Sequence, residues 1–130
     1  MISEQNEALV RRYMTAFLSG DFDAARACLW DDVMLNAPGR NPLSGTHVGA
    51  DAAVAFLRAI AEKTASTIRF ELIDVVANDR HVIVLFIPSA KRGDEEWVSR
   101  AVSVYRVDEG RIKEITVFQH DVYAFDAFMR

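Results

Sequence analysis

His120 and Asp121 stand side by side near the end of the chain and carry the two side chains most often used to move a proton. Asp121 reads in two ways: as a buried general acid/base, or as the cap of a short helix beginning at residue 122, whose free backbone N–H groups its carboxylate would accept. His120 reads either as a base in a pocket or as a hydrogen-bonded residue at a strand end. Tyr13 lies in an apolar run near the N-terminus, and its hydroxyl needs a partner if the ring is buried. His47, between a Pro/Gly loop and a helix, is a candidate for ligand contact near the mouth of a pocket. Asn36 is a possible donor, but strand pleat turns it outward if Ala37 points in, unless a bulge before Pro38 restores it. Ala101 and Ser103 share a strand face with Ser99 and Tyr105, where small residues leave room. Trp97 could cap that space or serve a dimer face, and Phe118 adds an apolar wall. No His-x-His or Glu-x-x-His spacing occurs, so no metal site is expected. With no Gly-x-Ser-x-Gly elbow, phosphate loop or dinucleotide fingerprint, no cofactor is expected.

These residues need elements to hold them. Leu9, Tyr13 and Phe17 recur every four residues, with Val10 and Met14 beside them, which predicts a helix over 4–18 stopped by Gly20. Asp21 can cap a second helix running to 29 or 30, with Phe22, Ala25 and Leu29 as its stripe. Residues 33–37 read as a short strand, and the two prolines and glycine of 38–42 force a loop. A third helix is expected over 50–63, with Val54, Leu57 and Ile60 or Ala61 inward. Four strands follow, over 67–77, 81–89, 96–107 and 111–120, separated by turn signals at Asn78-Asp79, Arg92-Gly93-Asp94 and Asp108-Glu109-Gly110. Val82 to Ile87 is apolar on both faces, which makes that strand central. The tail, 122–129, can dock as a last turn of helix. Helices first and strands later give an α+β class: three N-terminal helices on a curved antiparallel sheet, a cone whose mouth is a natural pocket.

The 130 residues fit one domain, with 51% hydrophobic and 26% charged residues as in an ordinary globular core. The net charge is −4 with the two signs interspersed, which disfavours nucleic acid and anionic membranes. The single cysteine, Cys28, excludes an intrachain disulfide and reads as a small buried hydrophobe. The polar start and the lack of a long apolar run point to a cytoplasmic protein.

The stretch Leu29-Trp30-Asp31-Asp32-Val33, the loop Pro38-Gly39-Arg40-Asn41-Pro42-Leu43-Ser44-Gly45, and the closing Tyr105-Arg106-Val107, Gly110-Arg111-Ile112, Asp121 and Tyr123-Ala124-Phe125-Asp126 resemble SnoaL-like polyketide cyclase domains. These sit in the superfamily of nuclear transport factor 2 and the ketosteroid isomerases. The resemblance implies a cone-shaped fold of that class over the whole chain. It carries isomerase chemistry only in part. Tyr13 falls where the oxyanion-hole tyrosine would be, while the general base would fall on Ala37 and the second oxyanion-hole acid on Ser103. Limonene-type epoxide hydrolysis needs an Arg-x-Asp, and Arg100-Ala101-Val102 lacks the aspartate. Cyclases of the SnoaL type are similar at Asp121. This likeness implies proton abstraction next to a carbonyl, with Asp121 as acid/base and Tyr13 or His120 as donor. The alternative is a module of the same fold that binds a small, largely apolar ligand without chemistry. A homodimer through the outer sheet face is compatible with both.

Overall fold

The computed structural model describes residues 1–130. The first helix, α1 (Ile2–Leu18), buries Leu9, Val10, Tyr13, Met14 and Phe17 on one side, as their spacing predicts. It stops where Gly20 takes φ 78°, which lets the Gly20 N–H reach Phe17 O and the Asp21 N–H reach Ala16 O. Two otherwise orphaned carbonyls are satisfied by that reversal, and a Cβ would strain it.

The second helix is shorter than expected. α2 (Phe22–Ala27) starts with Asp21 accepting from the Ala24 N–H and ends at Cys28. Leu29 and Trp30 belong instead to β1 (Leu29–Ala37). Sheet pairing wins over the helical stripe: Leu29 is opposite Ile112, and the Ile112 N–H donates to Cys28 O at 2.8 Å. Between the loop at 38–42 and the third helix, in a stretch to which the sequence assigned no element, lies a strand, β2 (Gly45–Val48), antiparallel to β1. α3 (Ala50–Lys63) buries Ala53, Leu57 and Ile60, so its inward face is turned from Val54 to Ala53.

Next come β3 (Arg69–Ala77) and β4 (His81–Arg92), the latter three residues longer than read from sequence. The expected single strand 96–107 is two: β5 (Glu95–Val98) and β6 (Ala101–Asp108). Both pair with β4, and the break at Ser99-Arg100 lets the chain pass from one half of β4 to the other. β7 (Arg111–Gln119) and α4 (Val122–Met129) close the fold.

The sheet order is β2-β1-β7-β6-β4-β3, with β5 on the extension of β4. Neighbours are antiparallel except β1 and β7, which run parallel, so the sheet is mixed. β7 must oppose β6 across a tight turn, and that fixes its direction relative to β1. Four helices therefore lie on a curved, open sheet. One cluster of 29 buried residues joins the sheet's concave face to α1, α3 and α4. No helix is long and apolar enough to cross a membrane.

Candidate functional site

Strand pleat decides what the concave face offers. On β6, Ala101, Ser103, Tyr105 and Val107 are buried, and on β7 their partners Gln119, Val117, Ile115 and Ile112 face the same way. α1 lies across them and brings Tyr13 and Phe17, α3 brings Phe56, Leu57 and Ile60, and α4 covers the end with Phe125 and Met129. Between them lies a partly open cavity of about 80 Å³, walled by 19 residues of which 15 are hydrophobic. No Asp, Glu, His, Lys or Arg is in the wall. Its polar atoms are the hydroxyls of Tyr13, Tyr105 and Ser103, the Trp97 indole N–H and the Gln119 amide.

The two tyrosines meet edge to face, with ring centroids 5.9 Å apart and planes at 71°. Burial pushes the Tyr13 hydroxyl well above the ordinary phenol range, and nearby Tyr105 and Cys28 push it further. Tyr105 is also raised by burial, with Ser103 acting weakly the other way. Both hydroxyls thus stay protonated at any physiological pH and are available as neutral donors.

At the other end, Trp97 is held between the α4 rings, with centroids 5.5 Å from Phe125 and 6.0 Å from Phe128. Its Nε1 is buried without a hydrogen-bond partner, and so is Gln119 Oε1. α4 is pinned from outside the cavity. Asp126 Oδ1 accepts from the Arg40 N–H and Asn41 Nδ2, while Arg92 donates to Phe128 O at 2.9 Å. Gly39 is required here: at φ 87° it passes so close to Asp126 that a Cβ would collide with the carboxylate.

Of the residues picked out from sequence, Tyr13, Ser103 and Trp97 line the cavity. Ala101 faces inward but stands behind the wall, opposite Gln119. The five others point elsewhere. Phe118 alternates with Val117 and Gln119 and so emerges on the convex face, 55% exposed. Asn36 alternates with the inward Leu35. It joins an outer network, donating to Glu114 and Thr116 and accepting from Thr46. His47 sits on β2, its Nε2 on Leu43 O at 2.7 Å and its ring 5.0 Å from Phe56; it backs the wall without being part of it. His120 is exposed just past the end of β7.

Asp121 is exposed too, and its Oδ1 accepts from the Ala124 N–H at 3.0 Å. Of its two sequence readings, the geometry displays the helix cap. Gln119 was missed. Its signal was the alternation Ile115, Val117, Gln119 opposite Tyr105, Ser103, Ala101, but a lone glutamine in an apolar strand does not announce a ligand.

A family description of the SnoaL-like domain matches residues 10–115. An uncharacterised protein of Mycobacterium tuberculosis (strain H37Rv) is 32% identical over 129 residues, spanning 98% of each chain. Among solved structures, Bal32a from a soil-derived mobile gene cassette is 29% identical over the whole of both chains, with a TM-score of 0.94. An NTF2-like protein from Burkholderia xenovorans is 22% identical over 98% of each, with a TM-score of 0.82. A putative polyketide cyclase from Xanthomonas campestris is 22% identical over 100% of each, with a TM-score of 0.76. The last two share the fold with this chain.

Proposed function

The chain belongs to the SnoaL-like domain family and has the NTF2-like fold, and from that we propose that it binds a small, largely apolar molecule inside the cone. One observation carries this reading: a partly open cavity, mostly apolar, with a few uncharged hydrogen-bonding groups and no charge in its wall. That is the usual make-up of a small-molecule pocket. At about 80 Å³ it is roughly half the size of an apolar cavity that takes benzene. A larger ligand therefore enters with outward movement of α4. Native mass spectrometry of the protein as purified, repeated after mild denaturation, tests the reading. A small molecule released on unfolding supports it. An empty protein whose melting temperature no apolar compound raises overturns it.

A second reading is a cofactor-free isomerase or cyclase that removes a proton next to a carbonyl. It is favoured by the family and by the likeness to the putative polyketide cyclase from Xanthomonas campestris. Tyr13 would then steady the enolate from inside the cavity, with Asp121 or His120 as base. Because Asp121 caps α4 outside the wall, this reading requires the first turn of α4 to open, and it ranks below binding. Asp121→Asn keeps a good cap while removing the base. Full turnover of a released or related carbonyl compound by that variant would sink it.

The convex face supports a homodimer. Phe118, Val102 and Leu85 form one apolar row across β7, β6 and β4, and Val104, Ile83 and Val76 form part of the next. A contiguous apolar face of that kind is rarely left bare. Sedimentation giving a monomer at micromolar concentration would count against it.

A further inference from the structure

Trp97 and Gln119 are the two cavity residues whose buried polar atoms have no partner: the indole Nε1 and the amide Oε1. Buried polar groups in folded proteins are nearly always hydrogen-bonded, and the exceptions call for a reason. Trp97 has no evident escape, and Gln119, half-buried as a residue, has its Oε1 buried. Trp97 is only 5% exposed, its ring stacked on Phe128 and against Phe125, so turning the N–H to solvent would break both contacts. Gln119 lies opposite Ala101, whose methyl group offers nothing to bond. Both residues face the same cavity, on the side that α4 covers.

The rest of the wall restricts what can answer them. It holds no charged side chain, so an ionised ligand would lose its water with no counter-charge in return. Of the other hydroxyls, Ser103 is opposite Val117, two residues from Gln119, and Tyr105 is opposite Ile115, four residues away, or about 7 and 13 Å at the usual strand rise. The α4 end and the tyrosine end therefore lie at opposite ends of a short polar line in which Ser103 stands between them.

We propose that Trp97 and Gln119 form the polar recognition pair of the cavity, and that its ligand is a neutral, hydroxyl-bearing ring compound. The ligand oxygen accepts from the Trp97 N–H, and its O–H donates to Gln119 Oε1. The proposal rests on the binding reading above and specifies the ligand class for it.

Phenol and toluene, near in size and differing in the hydroxyl, are the probes. Binding is followed by calorimetry and by the indole N–H signals in ¹H–¹⁵N spectra. The only other tryptophan, Trp30, is an internal control, because its Nε1 already donates to Asp108 O at 2.8 Å outside the cavity. The expected result is phenol binding about tenfold more tightly than toluene, since two neutral hydrogen bonds are each worth a few-fold. The Trp97 signal moves and that of Trp30 does not. Trp97→Phe and Gln119→Leu, which keep the apolar bulk, lower phenol affinity to that of toluene and leave toluene binding unchanged. Equal binding of the two probes by the unaltered protein overturns the proposal and leaves the pocket reading standing. So does a phenol preference that survives both substitutions. If neither probe binds while a smaller apolar compound does, the proposal fails and the pocket reading stands; if no apolar compound of either size binds, both fail.

Discussion

On β6 and β7 the residues that point into the cone are Ser103, Tyr105, Val117 and Gln119, and those that point out are Val102, Val104, Thr116 and Phe118. An antiparallel sheet with one wet face normally alternates apolar and polar. Over these positions the sheet is largely apolar on both sides, and its concave side, with Ser103, Tyr105 and Gln119, holds more hydrogen-bonding groups than its convex side, with Thr116. The difference lies in what covers each. The concave face is closed by α1, α3 and α4, so its few polar atoms sit in a dry space and matter for recognition. The convex face is open, and its apolar rows matter for association. Coverage, more than composition, separates the two faces.

Core deletion gives the sharpest contrast. Ile115→Ala, at a position 2% exposed, should cost about 2–5 kcal/mol and lower the melting temperature by many degrees. Phe118→Ser, three residues on but outward, should cost about 0.5 kcal/mol or less in a monomer. If denaturant titration gives similar losses for both, the convex face is also covered in solution. Sedimentation of the Phe118 variant should then reveal a smaller species.

The two aspartate caps offer a second contrast. Asp21 and Asp121 accept the same bond from the N–H three residues on, at 3.1 and 3.0 Å. Replacing either by Ala should cost about 1 kcal/mol, and by Asn much less. A loss of function on Asp121→Asn, without an equal loss on Asp21→Asn, would break that equivalence and restore Asp121 as an acid/base.

The buried tyrosines give the concave face a pH signature. An unfolded tyrosine ionises near pH 10, while Tyr13 keeps its proton well above that. Above pH 10 the unfolded chain holds fewer protons than the folded one, so stability falls as pH rises. The contribution is whole below that point and lost through the window above it. Tyr13→Phe should therefore flatten the alkaline limb of a melting-temperature profile and leave neutral pH little changed.

The convex side has a smaller counterpart at low pH. Lys113 lies 2.8 Å from Asp32 and, chiefly by hydrogen bonding, lowers its carboxyl pKa. Its support is present above the unfolded carboxyl value and lost as pH falls through the lower folded one. The pair is exposed, so Asp32→Asn should alter the acid limb least of all these changes.

Periodicity marked out α1 and α3, an unbroken apolar run marked out the β4 strand, and the turn signals at Asn78, Gly93 and Gly110 located three hairpins, because these are local properties of backbone and side chain. The resemblance supplied the fold class and brought Tyr13 forward. Where a segment suited two partners, sequence was insufficient. Leu29 fitted a helix stripe until β7 offered it a ladder. The run 96–107 was uniformly strand-like until β4 needed it in two pieces. Gln119, which the sequence did not bring forward, faces the cavity with its Oε1 unpartnered, while Asp121, two residues on, takes the cap among its two readings. Side-chain type says what a residue can do. The pleat of β7 and the start of α4 decided what each side chain meets, since direction and dryness are set by the strands and helices packed around it.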